Sequence, residues 1–398
     1  MQTLSIKKGQ IKKEIRIPTS KSYANRALIL ASIHKDSVII KDLPEATDVT
    51  ILIDCLKKIG LKTRSQNVFF CIDNSFPECE LPGTIEIDVG EGGTTARFLA
   101  AMLLLGKSEY CLRLGERLKV RPWDDFIRFA NEHGAKVRLE DDLLFIQGPI
   151  SLPEEIEIDC SKTTQFATAF ELLSLRTGSR VTPVNMNSSQ SYWAMNERII
   201  QEIDGTKTFE VPGDWSSASY PMAFAALNHP VIFPELRFDP LQADAKFFIL
   251  LEQFNCLTAE GDNLKVSPCD IAENIVLNVQ DCLDLVPTLG YFFSHIPGTH
   301  RLRGIENLIH KESDRLQEVI NLLSAFSRNA YRDDNDLVIE GKRDLCHEEK
   351  NLVMPNDHRM VMVATLFLLH HSGGTVSPKD AVSKSYPSFF EIMEDLSV

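Results

Sequence analysis

The alternation of apolar and polar positions repeats along the chain. Six segments share one design, in which a strand-like run ends in small or polar residues and an apolar helix follows. These segments begin at Ile17, Asp88, Asp159, Val211, Gln280 and Met354. Their spacing of roughly 50 to 75 residues is typical of a supersecondary unit that recurs in space. The pattern therefore predicts a fold built from six related units.

More elements lie between these segments. Further helices are predicted over residues 51–63, 124–137 and 246–258, each closing on a turn, and alternating stretches over 135–148 and 335–341 predict hairpins. Each unit then follows a β-α-β-α-β-β order. The fold class predicted is α/β, made of α+β repeats.

The start of each apolar helix carries small polar residues. Ser, Thr, Asp or Gly at such a position is typical of a helix N-cap. The unpaired backbone N–H groups and the positive end of the helix dipole then point toward the same place in front of the helix. Phosphate and carboxylate groups bind at such ends. Taken singly, each segment is equally typical of an ordinary capped core helix. If several starts converge, the same pattern predicts an anion-binding site.

Composition and charge limit the function classes. The chain has 398 residues, 43% hydrophobic and 25% charged, which is typical of two or three globular domains. Its 42 basic and 56 acidic residues give a net charge of −14. A protein that binds nucleic acid or anionic membranes in general needs a positive net charge. An anionic ligand would therefore require a local cluster of basic residues.

The cysteines and the apolar runs indicate in which cellular compartment the protein is expected. No apolar run approaches the length of a membrane span, and the first residues lack a signal-peptide core. The nine cysteines are odd in number, scattered, and without a C-x-x-C pair. We expect free thiols in a reducing environment and a cytoplasmic protein.

Basic residues stand at the predicted helix starts and in short turns. They are Lys21, Arg26, Arg97, Arg121, Lys311, Arg315, Arg359 and Lys384. The run K-E-S-D-R at 311–315 precedes an apolar helix, so we expect Lys311 and Arg315 one turn apart on one face with Glu312 beside them. This pattern fits either a positioned acid or a salt-bridged helix start. Asp284 is predicted at another helix start, as an N-cap or a general base.

These residues carry a resemblance that runs from Ser20 to Phe390. The chain contains, in order, S-K-S-x-x-N-R, G-T-T-x-R, R-P, T-T-Q-F, G-D-x-S-S-A-S-Y, E-N-L-x-x-K-E-S-D-R, D-H-R-M and S-K-S-Y. This ordered set resembles the 5-enolpyruvylshikimate-3-phosphate synthases, which are enolpyruvyl transferases. The resemblance implies an inverse α/β barrel-like fold of two globular domains with three repeats each. Domain 1 would comprise residues 1–17 and 213–398 and domain 2 residues 18–212, with substrate bound in a cleft that closes.

The resemblance also implies ligand contacts. Residues implied to bind shikimate 3-phosphate are Lys21, Ser22, Arg26, Thr163, Thr164, Gln165, Ser189, Tyr192, Asp284, Asn307 and Lys311. Residues implied to bind phosphoenolpyruvate are Lys21, Gly93, Arg121, Gln165, Arg315, Arg359 and Lys384. Thr163 and Thr164 stand where the family usually has Ser, which keeps the hydroxyl donor but adds a methyl group.

The implied reaction is transfer of the enolpyruvyl group of phosphoenolpyruvate to the 5-hydroxyl of shikimate 3-phosphate, in the pathway to chorismate and the aromatic amino acids. Asp284, Glu312, Lys21 and Lys311 would be catalytic. No metal, cofactor, nucleic acid or membrane is implied, and we expect a monomer with small-molecule partners.

One position departs from the family pattern, and two alternatives stay open. Glu91 replaces the usual Asn in G-E-G-G-T-T-A-R, and we expect its carboxylate to pair with a neighbouring Arg or Lys. One alternative is a related transferase that acts on UDP-N-acetylglucosamine, although the Cys expected before its Arg-Pro pair is absent here. The other is a ligand-binding relative without catalytic activity.

Overall fold

The computed structural model describes residues 2–186, 190–268, 270–271 and 273–394. The chain divides into two compact units. Unit 1 comprises Met1–Pro18 and Gly213–Val398, and unit 2 comprises Thr19–Pro212. At the two crossings, the Asp214 N–H donates to the Pro18 carbonyl at 2.8 Å and the Ser20 N–H donates to the Pro212 carbonyl at 2.7 Å.

Strand β1 (Leu4–Ile6) opens unit 1, and unit 2 follows. The helices of unit 2 are α1 (Lys21–Ile33), α2 (Thr47–Lys58), α3 (Gly93–Leu103), α4 (Asp124–Glu132), α5 (Gln165–Thr177) and α6 (Gln190–Thr206). Its strands are β2 (Val38–Lys41), β3 (Thr63–Gln66), β4 (Phe69–Ile72), β5 (Thr84–Asp88), β6 (Glu109–Arg113), β7 (Lys136–Glu140), β8 (Leu143–Gln147), β9 (Glu155–Asp159), β10 (Arg180–Val184) and β11 (Thr208–Glu210).

Unit 1 then resumes. Its helices are α7 (Trp215–Leu227), α8 (Lys246–Gln253), α9 (Val286–Ser294), α10 (Arg315–Ala325) and α11 (His358–His370). Its remaining strands are β12 (Val231–Phe233), β13 (Leu257–Glu260), β14 (Asn263–Val266), β15 (Val276–Asn278), β16 (Gly298–Arg303), β17 (Asn329–Asp333), β18 (Asp336–Gly341), β19 (Lys350–Val353) and β20 (Gly374–Ser377). Short 3₁₀ helices occupy Ala243–Ala245, Leu283–Leu285, Glu306–His310, Lys379–Lys384 and Phe389–Ile392.

The repeated order is visible in the sheets of unit 2. In the order β5-β6-β8-β7, the first pair is parallel and the other two are antiparallel. The sheet β11-β2-β4-β3 has the same pattern, but its leading strand comes from the end of the unit. The sheet of the third repeat consists of the parallel pair β9 and β10. The predicted β-α-β-α-β-β order thus holds fully in the second repeat, and the first and third depart from it at their edges.

Unit 1 follows the same plan. Its middle sheet has the order β15-β16-β18-β17, with a parallel first pair. The first sheet is β12-β14-β13, and the last is β1-β20-β19, in which the N-terminal strand β1 pairs antiparallel with β20. The α/β class predicted from the sequence is confirmed.

Burial separates the helices into two sets. Helices α1, α3 and α5 pack on one another in unit 2, and α7, α9 and α11 do so in unit 1. Nearly all residues of five of these helices are buried, and α5 buries the stretch from Phe166 to Leu173; this is the pattern of a helix apolar on all sides. By contrast, α4 buries only Phe126 and Ala130. The six segments singled out from the sequence are therefore the central helices.

Two expectations about these elements need correction. Of the six central helices, only α7 and α11 have a capping side chain at the start, from Asp214 and Asp357. Cys256 is disulfide-bonded, so the prediction of free thiols is wrong for this residue; a scattered, odd set of cysteines does not exclude one pair. Within the described residues, we find no helix with both the length and the apolarity to cross a bilayer.

Candidate functional site

In unit 1, the predicted site residues gather around the carboxylate of Asp284. Its Oδ1 accepts from Arg315 Nη1 at 2.6 Å and lies 3.2 Å from Lys311 Nζ, while its Oδ2 accepts from Arg359 Nη2 at 3.0 Å. Burial alone would raise the pKa of this carboxyl. The three cations outweigh burial and hold the pKa well below its usual range.

Arg315 is the most enclosed of these cations. Its side chain is 1% exposed, and its nitrogens donate to three carboxylates: Nη1 to Asp284, Nη2 to Glu312 at 2.6 Å and Nε to Asp357 at 2.7 Å. Burial opposes the charge, but these carboxylates outweigh it and raise the pKa of the guanidinium above its usual range. Paired geometry of this kind holds an arginine in one orientation.

Asp357 fixes the other side of this arginine and was not predicted from the sequence. Its side chain is 0% exposed and accepts from Ser313 Oγ at 3.0 Å and from the backbone N–H of Arg359, also at 3.0 Å. The same carboxylate thus caps α11 and holds Arg315. Its place in D-H-R-M before an apolar helix is the signal that could have identified it.

Two further groups complete the unit 1 cluster. Lys384 Nζ lies 3.3 Å from Glu312 Oε1, so Glu312 stands between two cations. Asp244 lies 3.8 Å from Arg359 and forms a short hydrogen bond with Ser216 at the start of α7. Burial raises the pKa of Asp244 to about 6, although the Arg359 charge opposes this. Nothing in the local sequence pattern indicated Asp244.

The unit 1 cluster is balanced in charge. The four predicted cations Lys311, Arg315, Arg359 and Lys384 face the carboxylates of Asp244, Asp284, Glu312 and Asp357. An anion that binds these cations must therefore compete with carboxylates of the protein itself. This competition would release Asp284 from its cations and raise its basicity.

Two sequence expectations in unit 1 are revised by the local backbone. Helix α10 begins at Arg315, because Asp314 caps it by accepting from Gln317 N–H; Lys311 lies before the helix rather than in its first turn. Both cations still reach the same oxygen of Asp284. Asp284 itself lies in the 3₁₀ helix Leu283–Leu285, so it is not the N-cap of α9.

Asn307 is the remaining predicted ligand of unit 1. It is exposed on the 3₁₀ helix Glu306–His310, and within the described part of the chain no hydrogen bond joins it to Asp284 or Lys311.

In unit 2, hydrogen bonds bring the starts of the three central helices together. Lys21, the first residue of α1, forms an ion pair with Asp48 at 2.9 Å, and the Asp48 carbonyl accepts from Thr95 in the first turn of α3. Gln165, the first residue of α5, donates through Nε2 to Thr94 at 3.2 Å. The sequence predicted Lys21 but not its counter-ion Asp48, which lies on α2.

Arg97 links α3 to the start of α5. Its Nη1 donates to Gln165 Oε1 at 2.5 Å and to Thr163 Oγ1 at 3.3 Å, and its Nη2 donates to the Pro122 carbonyl. Burial and then the nearby charge of Arg121 lower the pKa of Arg97 to about 9. Arg97 is therefore a cation at neutral pH that fixes the side chains of Thr163 and Gln165.

Gly93 lies against Arg121. A Cβ atom built on Gly93 would overlap the Arg121 guanidinium and come within 3.4 Å of Gln165 Oε1. The absence of a side chain therefore admits Arg121 at this point. Thr164, by contrast, occupies the N-cap position of α5 without a capping hydrogen bond from its side chain.

Arg26 is buried in a frame of aromatic and amide groups. Its guanidinium carbon lies 5.2 Å from the Phe98 ring centroid and 5.3 Å from that of Tyr192. Nη1 donates to the carbonyl of Ser22, and Nε donates to Asn196 Oδ1, each at 2.8 Å. Ser189, the remaining predicted ligand of unit 2, lies outside the described residues.

Glu91 contacts the turn that follows β6. Its Oε2 accepts from the backbone N–H of Arg117 at 3.2 Å, and a Cβ atom on Gly115 would overlap its carboxylate. The side-chain pairing with a cation that the sequence suggested stays a prediction.

Comparison with known proteins identifies the family. The family model for EPSP synthase (3-phosphoshikimate 1-carboxyvinyltransferase) matches residues 6–206 and 201–393. The 3-phosphoshikimate 1-carboxyvinyltransferase of Pyrococcus abyssi is 28% identical over 400 residues, covering 96% of this chain and 94% of the relative. That of Vibrio campbellii is 26% identical over 435 residues, covering 100% of both.

Solved structures share the fold. EPSP synthase from Acinetobacter baumannii superimposes with a TM-score of 0.79 at 20% identity, covering 98% of this chain and 97% of that one. The enolpyruvyl transferase NikO from Streptomyces tendae gives a TM-score of 0.74 at 13% identity, covering 98% and 96%. The family model spans nearly all residues of both units, and on that ground the chain belongs to the EPSP synthase (3-phosphoshikimate 1-carboxyvinyltransferase) family.

Proposed function

We propose that this chain transfers the enolpyruvyl group of phosphoenolpyruvate to the 5-hydroxyl of shikimate 3-phosphate, releasing inorganic phosphate. Membership of the family supports the reaction. The observation that carries it is the Asp284 cluster, in which a partly buried carboxylate is held ionised by Lys311, Arg315 and Arg359. Small anionic molecules would be its partners, and we propose a cytoplasmic monomer.

Unit 2 supplies the positive charge for anionic ligands. Arg26 and Arg97 make no ion pair with a carboxylate within the described residues, in contrast to the balanced cluster of unit 1. In this proposal Ser22 and Arg26 take the carboxylate of shikimate 3-phosphate, and its phosphate is taken at the start of α5 by Thr163, Thr164 and Gln165, with Ser189 and Tyr192 alongside. Lys21, Gly93 and Arg121 bind phosphoenolpyruvate together with Gln165.

Unit 1 supplies the acid and base. Phosphoenolpyruvate competes for Arg315 and Arg359, which weakens their hold on Asp284, and for Lys384, which pairs with Glu312. Asp284, assisted by Lys311, then removes the proton of the 5-hydroxyl, and that oxygen bonds to C2 of phosphoenolpyruvate. Asn307 would hold the shikimate hydroxyls beside this base.

Proton delivery completes the addition. Phosphoenolpyruvate also draws Arg315 and Lys384 away from Glu312, so Glu312 can take up a proton and donate it to the C3 methylene, with Lys21 as the second candidate donor, and a tetrahedral ketal forms. The C2–O bond to phosphate then breaks, the new methyl group returns a proton to Glu312, and the enol ether and phosphate result. The cations act mainly by orienting two anions and offsetting their charge.

A phosphate-release assay with phosphoenolpyruvate tests the proposal. We expect release with shikimate 3-phosphate as acceptor and none with UDP-N-acetylglucosamine. Lys21→Met should abolish turnover, because it removes the cation next to Asp48 without changing the length of the side chain much. Near-normal release by this variant would remove Lys21 from the mechanism, and binding of shikimate 3-phosphate without release by the unmodified protein would indicate a ligand-binding relative.

A further inference from the structure

Arg26 is a buried cation without a carboxylate partner among the described residues. The residue is 5% exposed, and its two hydrogen bonds go to neutral oxygens of Ser22 and Asn196. Burial lowers the pKa of Arg26 to about 10, so it remains charged at neutral pH. A buried charge of this kind is costly until an anion reaches it. The terminal nitrogen Nη2 makes no hydrogen bond to a described residue, which leaves it for a ligand.

The amide of Asn196 can have only one orientation. A guanidinium has no acceptor, so the oxygen Oδ1 must face Arg26. The amide nitrogen Nδ2 then donates to the Thr168 carbonyl at 3.0 Å and to Glu171 Oε2 at 2.6 Å. Asn196 is 0% exposed, and these bonds join helices α1, α5 and α6. The side chain therefore locks the direction of Arg26 Nε.

Glu171 ends this chain of hydrogen bonds. It is 8% exposed, and burial raises the pKa of its carboxyl to about 8. The charged groups that act on it are Arg26 from α1 and Glu197 from α6. Arg97 of α3, the other central helix packed on α5, is directed to Gln165 and Pro122 instead. Near neutral pH the carboxyl holds its proton, and the charge of Arg26 is left uncompensated.

We propose that Asn196 and Glu171 are positioning residues for Arg26, in which Asn196 orients the guanidinium and the proton on Glu171 determines how strongly Arg26 attracts the carboxylate of the ligand. This inference rests on the proposed function, which gives that carboxylate to Arg26. It assigns the two residues no contact with substrate.

Linkage gives the direction of the effect. When Glu171 ionises, its negative charge reaches Arg26 through Asn196 and weakens the attraction for a second carboxylate. By reciprocity, a bound anion favours the protonated carboxyl, so ligand binding above neutral pH takes up a proton. Both groups of shikimate 3-phosphate are already ionised above pH 7, so a change in its affinity there does not come from the ligand.

The test is the KM for shikimate 3-phosphate and kcat, each measured from pH 7 to pH 8.5, a range that spans the pKa of Glu171 and stays below those of Arg97 and Arg26. For the unmodified protein we expect KM to rise about threefold over this range while kcat changes little. Glu171→Gln keeps the size and removes the titration, so its KM should stay flat. The matched control is Glu197→Gln, which removes the same charge from the exposed face of α6 and should keep the rise.

Asn196→Asp gives a second, independent variant. It places a carboxylate directly on Arg26, so KM should be high at pH 7 already, with a smaller effect on kcat. Thermal unfolding of each variant checks that the fold is retained. Equal KM profiles for Glu171→Gln and the unmodified protein would overturn the proposal, whatever the behaviour of Asn196→Asp.

Failure of the proposed function can be told apart from failure of this inference. Calorimetric titration with shikimate 3-phosphate in two buffers of different ionisation enthalpy measures proton uptake without turnover. If the unmodified protein releases no phosphate but takes up a proton on binding at pH 8, and Glu171→Gln does not, the function fails and the inference stands. Binding without proton uptake, or no binding at any pH, overturns the inference.

Discussion

The buried carboxylate of Asp357 offers the sharpest test of the unit 1 cluster. Replacing Asp357 with Asn keeps the size of the side chain but removes its charge. The amide keeps one acceptor oxygen instead of two, whereas both oxygens of Asp357 now accept, Oδ2 from Arg315 Nε and Ser313 Oγ and Oδ1 from the backbone of Arg359. Arg315, 1% exposed, would lose its most enclosed counter-ion.

The expected loss follows from the burial of this pair. Removing one partner of a buried ion pair typically lowers the free energy of unfolding by about 3–5 kcal/mol. Arg315 keeps Asp284 and Glu312, so we place Asp357→Asn at the low end, about 3 kcal/mol. At a urea m-value of about 1–3 kcal/mol/M, the unfolding midpoint should fall by about 1 M or more.

Urea unfolding followed by the fluorescence of the buried Trp215 in unit 1 measures this loss. Asp344→Asn is the matched control, because its side chain is 80% exposed and its loss should stay within about 0.5 kcal/mol. Phosphate release should show a KM for phosphoenolpyruvate raised about tenfold, since Arg315 would no longer be held in place. Coincident urea curves for Asp357→Asn and the unmodified protein would refute the account of Asp357 as the anchor of Arg315.

Three other perturbations have defined outcomes. Burial lowers the pKa of His370 from 6.5 to about 4, so the stability this imidazole contributes is full above pH 6.5 and falls as the pH drops toward 4; the free energies of unfolding measured in urea at pH 7 and pH 5 should differ by about 2 kcal/mol from this group. Gly93→Ala should displace Arg121 and raise the KM for phosphoenolpyruvate about tenfold, with a smaller effect on kcat. Glu91→Asn keeps an acceptor for the Arg117 N–H and removes a negative charge, so the same KM should fall about twofold to fivefold.

Each of these has its own control or contrary result. If His370→Gln loses as much stability between pH 7 and pH 5 as the unmodified protein, the acid sensitivity comes from other groups. Gly205→Ala, on α6 with open space around its Cβ position, is the control for Gly93→Ala and should leave KM unchanged. A KM that rises in Glu91→Asn would show that the carboxylate supports the site through its contact with the turn.

Local sequence patterns were enough to predict the central helices and the cations of the candidate site. The six central helices were predicted because apolar residues cluster behind a polar start, a signal contained within about fifteen residues. Lys21, Arg315 and Arg359 were found for the same reason, since they lie in or beside those starts. The register at Lys311 was wrong because Asp314 caps α10 and delays the helix to Arg315.

The partners of these cations left no such trace. Asp48 meets Lys21 across 27 residues of sequence, Asp357 meets Arg315 across 42, and Asn196 meets Arg26 across 170. A contact made only in the folded chain has no periodicity and no fixed spacing to detect. For this reason these three partners, unlike the cations and unlike Asp284 and Glu312, became visible only in the structure.

The two hydrogen bonds at the crossings have a consequence for how the gene could be rearranged. Pro18 and Asp214 are neighbours through one bond, and Ser20 and Pro212 through the other. Unit 2 is thus a continuous insertion whose two ends leave from the same place, and β11 returns beside β2 to close it. Joining residue 18 to residue 213 would need almost no linker, so unit 1 could be expressed without unit 2. Unit 2 has its two ends side by side, so it could be circularised or inserted into another protein.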